Sequence, residues 1–468
     1  MSESPLFQRR RFLGLVLAGT LVPVGLSACA AGGGSDTPAD SAPTGEVSDT
    51  NPFGVGEGAA VEAVIFDGGY GTDYVSAVAA AYADLHKGGK LTVAPSTQIS
   101  QQMQPRFVGG NPPDLLDNSG ANAIGLATIA KQLEDLAPLT KAKNTEGDVI
   151  ADTLYPGMLD DGYYDGRLVQ LNYVLTVYGL WYSKSLFDAN GWKAPTTWDD
   201  VLALGAQAKT AGKYLFCWGK EAASYYLTLA VESAIKEGGD EVRVKLGNLD
   251  ADAWSHPVVQ AVFAKMEQAV QAGYFLPGGA GTQFTAAQAQ WTQGQQAVLY
   301  PSGSWIENEM KSQTAADFQM TGCPAPAVSS GAAMPAESFH ASAGEPFVVP
   351  SQAKNKAGGM ETLRLMLSKE GATNFAKAKL SSTIVKGTVP ADAFGSTALA
   401  SQIAMLDAAG ENTFTFNFND IYGFTSQNNV LWNSFLSGEL DAAGLTSGLQ
   451  KQFDDTRADD SVVKVKVS

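Results

Sequence analysis

The apolar positions of this chain alternate between two periods from residue 60 onwards. Residues 60–69 form an apolar run typical of a buried strand, and residues 73–89 place apolar side chains at helical spacing before a Gly-Gly stop. Further β-prone runs occur at residues 90–97, 112–120, 167–183, 214–219, 295–305 and 343–350. Strands that alternate with helices predict an α/β protein with a parallel-rich sheet covered on both faces.

One helix can be predicted from its start. Thr197 is the expected N-cap of a helix beginning at PTTWDD, because Asp200 follows three residues later and completes a capping box. The side chains expected on its packed face are Trp198, Val201, Leu202 and Gly205. The last hundred residues are expected to be mostly helical.

The chain has 468 residues. The roughly 400 residues after residue 55 exceed one ordinary domain, so two lobes are expected. No internal repeat is present.

The N-terminus has the pattern of an export signal. Residues 13–26 are apolar or small and follow the basic stretch QRRRF. A permanent membrane helix needs about 20 such residues, so this run is too short to remain in the bilayer. Arg9, Arg10 and Arg11 followed by Phe12 also fit a twin-arginine signal.

The stretch LSACAAGGGSD contains Cys29, one of three cysteines in the chain. Leu-Ser-Ala-Cys resembles a bacterial lipobox, in which cleavage exposes a cysteine that receives a lipid. The following segment, to residue 55, is rich in Gly, Ser, Pro and Asp and is expected to be a flexible tether. The sequence therefore predicts a signal peptide at 1–28 and a tether at 29–55.

The formal charge of −17 argues against nucleic-acid binding and against polybasic adsorption to a membrane. The other cysteines, Cys217 and Cys323, are too few for a disulfide framework. Either one disulfide or two buried thiols remains open, with buried thiols favoured.

The chain contains few candidate catalytic motifs. The three histidines, His86, His256 and His340, are far apart in sequence, and His86 and His256 are expected at the surface. No cofactor-binding motif or zinc-ligand cluster is present, so no cofactor or metal is expected. Carboxylates are plentiful, which leaves a secreted glycosidase or lyase as the alternative function.

Aromatic and polar side chains are concentrated at strand ends and in loops. The open α/β architecture binds ligands beyond the carboxyl ends of strands. Sugars suit this combination, because a pyranose packs its C–H face on an aromatic ring and its hydroxyls need directional partners. The side chains concerned include Tyr70, Asp117–Ser119, Asn172, Tyr173, Tyr178, Trp218, Tyr225, Trp305 and Glu345.

Five segments in order resemble the solute-binding lipoproteins of carbohydrate ABC importers. They are NPPDLLDNSG, LNYVLTVYGLWYSKSLF, PTTWDD, WTQGQQAVLYPSGSWIENE and AGEPFVVPSQAKNKAGGMETLRLML. The stretches STQISQQMQPRFVGG and KSQTAADFQM are most similar to the actinobacterial branch that binds N-acetylglucosamine and diacetylchitobiose. The segment NTFTFNFNDIYGFTSQN is not clearly matched.

The resemblance implies a periplasmic-binding-protein-like fold with two α/β lobes around a central cleft and a three-segment hinge. Crossovers are expected near residues 172–178, 299–303 and 345–350. Lobe 1 would comprise 56–172 plus 304–346, and lobe 2 would comprise 173–303 plus 347–468.

The resemblance also implies roles for individual residues. Asp117, Asn118 and Ser119 would reach sugar hydroxyls, Trp305 would be the stacking platform, and Glu345 would accept a hydroxyl or acetamido N–H. The further candidates for sugar contact are Asn172, Tyr173, Trp218, Tyr225 and Tyr422.

The expected function is capture of N-acetylglucosamine or a chitobiose-type sugar and delivery to an ABC permease, without catalysis. The expected protein is a monomer, anchored through Cys29 to the outer face of the cytoplasmic membrane. The alternatives are the glycosidase or lyase, a surface adhesin or sensor, and an importer component for another neutral sugar.

Overall fold

The computed structural model of the protein describes residues 42–120, 123–155 and 157–467. The predicted signal peptide, Cys29 and the first part of the tether lie outside these ranges. The strands are β1 Ala60–Phe66, β2 Lys90–Ser96, β3 Leu115–Asp117, β4 Tyr163–Tyr164, β5 Arg167–Leu168, β6 Leu171–Ser183, β7 Tyr214–Phe216, β8 Ala297–Gly303, β9 Met320–Cys323, β10 Phe339–Val348 and β11 Thr413–Phe414.

The helices of the first half are α1 Asp73–Ser76, α2 Ala79–Leu85, α3 Ile99–Val108, α4 Leu126–Ile129, α5 Ala137–Lys141, α6 Ile150–Thr153, α7 Lys184–Asn190, α8 Trp198–Thr210 and α9 Tyr225–Gly238. Those of the second half are α10 Asp240–Gly247, α11 Pro257–Gln271, α12 Phe284–Thr292, α13 Ile306–Met310, α14 Lys356–Met366, α15 Lys369–Lys379, α16 Thr397–Ala409, α17 Phe418–Tyr422, α18 Thr425–Leu436 and α19 Ala442–Ala458. The predicted helical character of the last hundred residues is confirmed.

A nine-stranded sheet runs through the described body in the order β2-β1-β3-β10-β6-β8-β7, with β11 beside β10 and β9 beside β6. Strand β1 is parallel to β2 and β3, and β7 is parallel to β8. The middle of the sheet is antiparallel, because β10 pairs antiparallel with β3 and β6, and β6 pairs antiparallel with β8 and β9. The α/β class is confirmed, whereas a parallel-rich sheet describes only its two flanks.

Helix α8 begins as its sequence predicts. The side chain of Thr197 accepts a hydrogen bond from the backbone N–H of Asp200, and the Asp200 carboxylate accepts one from the backbone N–H of Thr197. On the packed face Leu204 is buried, whereas Leu202 is only partly buried. The face therefore turns slightly from the predicted one.

Two large hydrophobic clusters draw on different parts of the chain. The first takes its residues from 55–174 and 347–385, and the second mainly from 180–275, 298–325 and 418–453. Strand β6 contributes Val174 to the first cluster and Leu180 to the second. The strand thus connects the two cores.

The packing differs from the predicted lobe ranges at two segments. Ile306 and Met310 of α13, in the range predicted as lobe 1, pack with Trp181 and Tyr300, which lie in the range predicted as lobe 2. Residues 347–385 pack in the first cluster, because β10 carries the chain back beside β3. The division into two lobes itself stays a prediction.

Residues 42–55, predicted as part of the tether, contact the body through Val55, which is buried in the first hydrophobic cluster. Bridges join Thr44 to Val55 and Ser48 to Asn51. The Asn51 amide donates to the Val55 carbonyl at 3.0 Å, so the segment satisfies its own polar groups despite its composition.

The buried ion pair between Arg364 and Glu361 contacts this segment. The Arg364 guanidinium donates to both carboxylate oxygens of Glu361, at 2.6 and 2.7 Å, and to the Thr50 carbonyl at 3.2 Å. His86 Nε2 lies 3.4 Å from Glu361, and His86 is 3% exposed. The expectation that His86 lies at the surface is therefore wrong, because it packs over this pair.

Within the described ranges, Cys217 and Cys323 are free and buried, as favoured from the sequence. No helix of these ranges combines the length and apolarity needed to cross a bilayer.

Replacing Arg364 with Met is expected to lower the free energy of unfolding by about 3–5 kcal/mol, because it leaves the Glu361 carboxylate buried without its main partner. Lys451→Met removes the exposed partner of Asp455, 2.6 Å away, and should change it by less than about 0.5 kcal/mol. Urea unfolding followed by circular dichroism measures both. Equal changes in the two variants would contradict this account of the N-terminal segment.

Candidate functional site

The candidate site lies where β3, β10, β6 and β8 run side by side. Residues 342–346 of β10 are partly exposed, although β10 has a hydrogen-bonded strand on each side. A central strand of a covered sheet is normally buried, so this exposure marks an opening that reaches the sheet. The exposed part of β10 includes the predicted site residue Glu345, and the predicted Trp305 is partly exposed as well.

Asp117 ends β3 with a side chain that is 0% exposed. Its carboxylate accepts hydrogen bonds from the backbone N–H of Phe66 and from the Tyr74 hydroxyl, each at 3.3 Å, and from the Ser119 hydroxyl. Phe66 is the last residue of the parallel strand β1. The predicted Asp117 and Ser119 therefore meet at the carboxyl ends of two parallel strands.

The carboxyl groups of Asp117 and Glu345 contact each other between β3 and β10. Burial raises the pKa of Glu345, and burial together with the charge of Glu345 raises the pKa of Asp117 well above its usual range. Ionisation of one carboxyl group disfavours ionisation of the other, so this arrangement favours a single proton shared by the pair. The pair can then both donate and accept a hydrogen bond.

Glu345 also has an unusual backbone. Its φ is 53°, in the left-handed region that residues other than glycine seldom occupy. Strained backbone of this kind is concentrated at functional sites.

Asn118 stabilises the loop that follows β3. Its side-chain amide donates to the carbonyl of Ile124, and its amide oxygen accepts from the backbone N–H of Ile124, both at 2.8 Å. These bonds occupy both ends of the amide. A direct sugar contact from Asn118 stays a prediction.

Trp305 follows β8 and packs edge-on against two tyrosines. Its ring centroid is 5.6 Å from that of Tyr178 and 5.9 Å from that of Tyr225. The ring lies over Gly303, where an added Cβ would come within 1.9 Å of a Trp305 ring atom. Gly303 is therefore required for this ring position, and the predicted pair Trp305 and Tyr225 is brought together.

Tyr70 lies near the same opening, between the end of β1 and α1. Its hydroxyl is 3.1 Å from the Ser381 hydroxyl. Burial raises the pKa of Tyr70, and the charge of Glu345 raises it further. Tyr70 is thus an additional polar aromatic group close to the carboxyl pair.

Two predicted residues are in hydrophobic cores. Tyr173 is 1% exposed, and its hydroxyl donates to the Met366 carbonyl at 3.0 Å. Trp218 is 3% exposed, and its indole N–H donates to Asn433 at 3.1 Å. Both polar groups already have partners inside the protein, and ligand contact by either residue stays a prediction.

Two others also have local partners. The amide oxygen of Asn172 accepts from Gln170 at 2.9 Å, and Asn172 is paired with Pro346 in the sheet. The Tyr422 hydroxyl accepts from the backbone N–H of Val465 at 3.0 Å. Asn172 therefore adjoins the carboxyl pair along β10, whereas Tyr422 is held by the C-terminal tail.

His340 and Phe416 were not among the predicted site residues. The His340 ring stacks on Tyr178 with centroids 4.4 Å apart, and on Phe416 with centroids 4.2 Å apart. The only sequence signal for this stack is the aromatic-rich stretch FTFNF, which lies in the segment that is not clearly matched to the family. Proximity of β10, β6 and the segment after β11 creates this stack.

Glu232 on α9 contacts the backbone of His340, the central residue of this stack. It is 1% exposed, and its carboxyl group accepts a hydrogen bond from the His340 backbone N–H at 2.8 Å. Burial raises the pKa of Glu232 to about 8, against the opposing effects of the His340 N–H and of Lys236.

No group of three or more His, Cys, Asp or Glu side chains in the described part of the chain is arranged to hold a metal ion. The site offers aromatic faces and hydrogen-bonding carboxyl, hydroxyl and amide groups. This chemistry suits a neutral polar ligand with an apolar face.

The family described as "Bacterial extracellular solute-binding protein" matches residues 68–373. The diacetylchitobiose binding protein NgcE of Streptomyces coelicolor is 57% identical over 441 residues, which cover 94% of this chain and 94% of NgcE.

Solved structures show the same fold. The apo-form of RafE from Streptococcus pneumoniae aligns with a TM-score of 0.67 at 17% identity, covering 85% of this chain and 97% of RafE. A chitin oligosaccharide binding protein aligns with a TM-score of 0.66 at 17% identity, covering 84% of this chain and 98% of that chain. The predicted fold class is confirmed.

The raised pKa of Glu232 predicts a pH-dependent stability. The folded protein keeps this carboxyl group protonated up to about pH 8, whereas its unfolded pKa is 4.5. Stability from this group is therefore lost as pH rises through that window. From pH 6.5 to 8 the wild type should lose about 2 kcal/mol relative to Glu232→Gln, since histidine titration occurs in both proteins.

Urea unfolding at pH 6.5, 7.25 and 8 measures this difference. Glu411→Gln, at an exposed position, is the control and should keep the wild-type slope. Parallel slopes for Glu232→Gln and wild type would refute a protonated Glu232.

Proposed function

This chain belongs to the bacterial extracellular solute-binding proteins, and we propose that it captures diacetylchitobiose and related N-acetylglucosamine sugars for an ABC permease. The observation that carries the proposal is the 57% identity to the diacetylchitobiose binding protein NgcE across 94% of both chains. The described site is chemically suited to such a ligand.

In this proposal the aromatic rings bind the apolar face of the sugar, and the carboxyl pair binds its polar groups. The pyranose C–H face packs on Trp305, and Tyr178 and Tyr225 hold that ring from its edges. Glu345 accepts an acetamido N–H or a hydroxyl, while the proton it shares with Asp117 lets the pair donate to a second oxygen. A site that pairs these polar groups discriminates against sugars that leave them unpaired.

In this proposal two lobes close over the bound sugar. The separate hydrophobic clusters support two lobes, and strands β6, β8 and β10 are the proposed hinge segments because they adjoin one another and two of them approach the site. Hinge closure requires a ligand that interacts better with the closed form than with the open one.

The proposed location follows from the N-terminal motif. Residues 1–28 direct export, and Cys29 carries the lipid that anchors the mature protein. Residues 42–55 contact the body, so this part of the predicted tether is not free.

The proposed activity is binding without turnover. Glycosidases keep their two carboxyl groups about 5–10 Å apart, leaving room for the sugar or for water. The Asp117 and Glu345 carboxyl groups contact each other, which argues against this pair as a glycosidase acid and base. The alternative within the class is a different neutral sugar.

Replacing Trp305 with Ala should weaken diacetylchitobiose binding by about 30-fold or more, because it removes the aromatic platform. Trp192→Ala is the matched control, since Trp192 is also partly exposed and packs edge-on against Phe187 at 5.7 Å. Calorimetric titration of residues 42–468 measures both affinities.

Wild-type binding of maltose or raffinose but of neither acetamido sugar would overturn the substrate and retain the class. Equal affinities of the wild type and Trp305→Ala would overturn the platform. Slow conversion of the sugar during long incubation would overturn binding without turnover.

A further inference from the structure

The ring of His340 lies between two aromatic rings from distant parts of the chain. It is 17° from parallel with Tyr178 on β6 and 26° from parallel with Phe416, which follows β11. His340 is 3% exposed, whereas both neighbours are partly exposed. The histidine is thus the buried centre of a three-ring stack whose outer members reach the surface of the protein.

Contacts from two elements, α9 and β11, hold His340 in place. Its backbone N–H bonds to Glu232 on α9, and it is paired with Phe414 of β11. Nδ1 lies 3.2 Å from the Phe414 carbonyl oxygen. A carbonyl can only accept, so Nδ1 carries the hydrogen of a neutral imidazole.

The neutral form is also favoured by burial, which lowers the pKa of His340 to about 4. The ring is therefore an uncharged aromatic surface at neutral pH, and its contact with Tyr178 is a stacking contact.

Tyr178 links His340 to Trp305, the proposed sugar platform, because its ring contacts both. One face of the Tyr178 ring stacks on His340. The same ring lies at 83° to the Trp305 ring, with centroids 5.6 Å apart. Trp305 is supported on another edge by Tyr225. A Tyr178 ring freed from His340 would gain rotational freedom, and Trp305 would lose one of its two edge contacts.

We propose that His340 is a positioning residue for ligand binding, which holds Tyr178 against Trp305 and thereby couples the segment 413–418 to the sugar platform. The inference rests on the proposed function and adds a residue and a segment to it. His340 acts through Tyr178 and does not itself contact the sugar.

The test compares His340→Ala, His340→Phe and Phe416→Leu with wild type in calorimetric titrations with diacetylchitobiose. His340→Ala removes the stack and should weaken binding by about fivefold or more. His340→Phe keeps an aromatic ring but loses the bond to Phe414, and should restore affinity to within about twofold of wild type. Phe416→Leu, a milder change, should weaken binding between these limits.

His86 provides the matched control for destabilisation. It is also 3% exposed and packs on a tyrosine, Tyr82, with ring centroids 5.0 Å apart, but it belongs to the region of the Glu361 ion pair. His86→Ala should lower stability in urea while keeping wild-type affinity.

A ligand-free readout separates this inference from the proposed substrate. Acrylamide quenching of tryptophan fluorescence should increase in His340→Ala relative to wild type, and the increase should vanish in a Trp305→Phe background. If the wild type binds no acetamido sugar, the proposed substrate fails while the quenching result still decides the role of His340.

Three results would overturn the inference. They are wild-type affinity in folded His340→Ala, equal losses in His340→Ala and His340→Phe, and a quenching increase that persists without Trp305. If His340→Ala does not fold, wild-type affinity in Phe416→Leu overturns it instead.

Discussion

The antiparallel pairing of β10 with β6 is the constraint on which the rest of the site depends. Its register sets Ala341 opposite Val177 and Phe347 opposite Leu171. This register brings the His340 ring onto Tyr178, and the other edge of β10 brings Glu345 to Asp117. A slip of one residue would turn every side chain of β10 to the opposite face. The aromatic stack and the carboxyl pair would then be lost together.

Strand β6 extends this constraint in the other direction. Beyond its pairing with β10 it pairs with β8, where Tyr178 lies opposite Gly303. The absence of a side chain at Gly303 makes room for the Trp305 ring, and Tyr178 lies beside that ring. One long strand therefore positions both the polar and the aromatic half of the site, while its two ends pack in different cores.

Buried and partly buried ionisable groups have two different roles in this protein. The Glu361–Arg364 pair is fully hydrogen-bonded and holds the N-terminal segment, so its charges are balanced inside the core. Asp117, Glu345 and Glu232 have no such cation bound to them in the described contacts, and burial raises the pKa of each. Protonation is the less costly state for such carboxyl groups. At the site this leaves hydrogen-bonding groups suited to a neutral ligand.

The sequence by itself determined the alternation of strands and helices, the capping box of α8 and the family, because these depend on local periodicity and on ordered motifs. It also predicted a site from Asp117, Ser119, Trp305, Tyr225 and Glu345; the fold brings Asp117 and Ser119 beside Glu345 and Trp305 beside Tyr225, while their contact with a ligand stays a prediction. Only the tertiary structure decided the antiparallel centre of the sheet, the packing of residues 42–55 and the burial of Tyr173 and Trp218. His340 and Phe416 could not be predicted as neighbours, because they are far apart in sequence and meet only through strand pairing. Local patterns specify elements, whereas contacts between distant residues depend on register and on which side chains each core excludes from water.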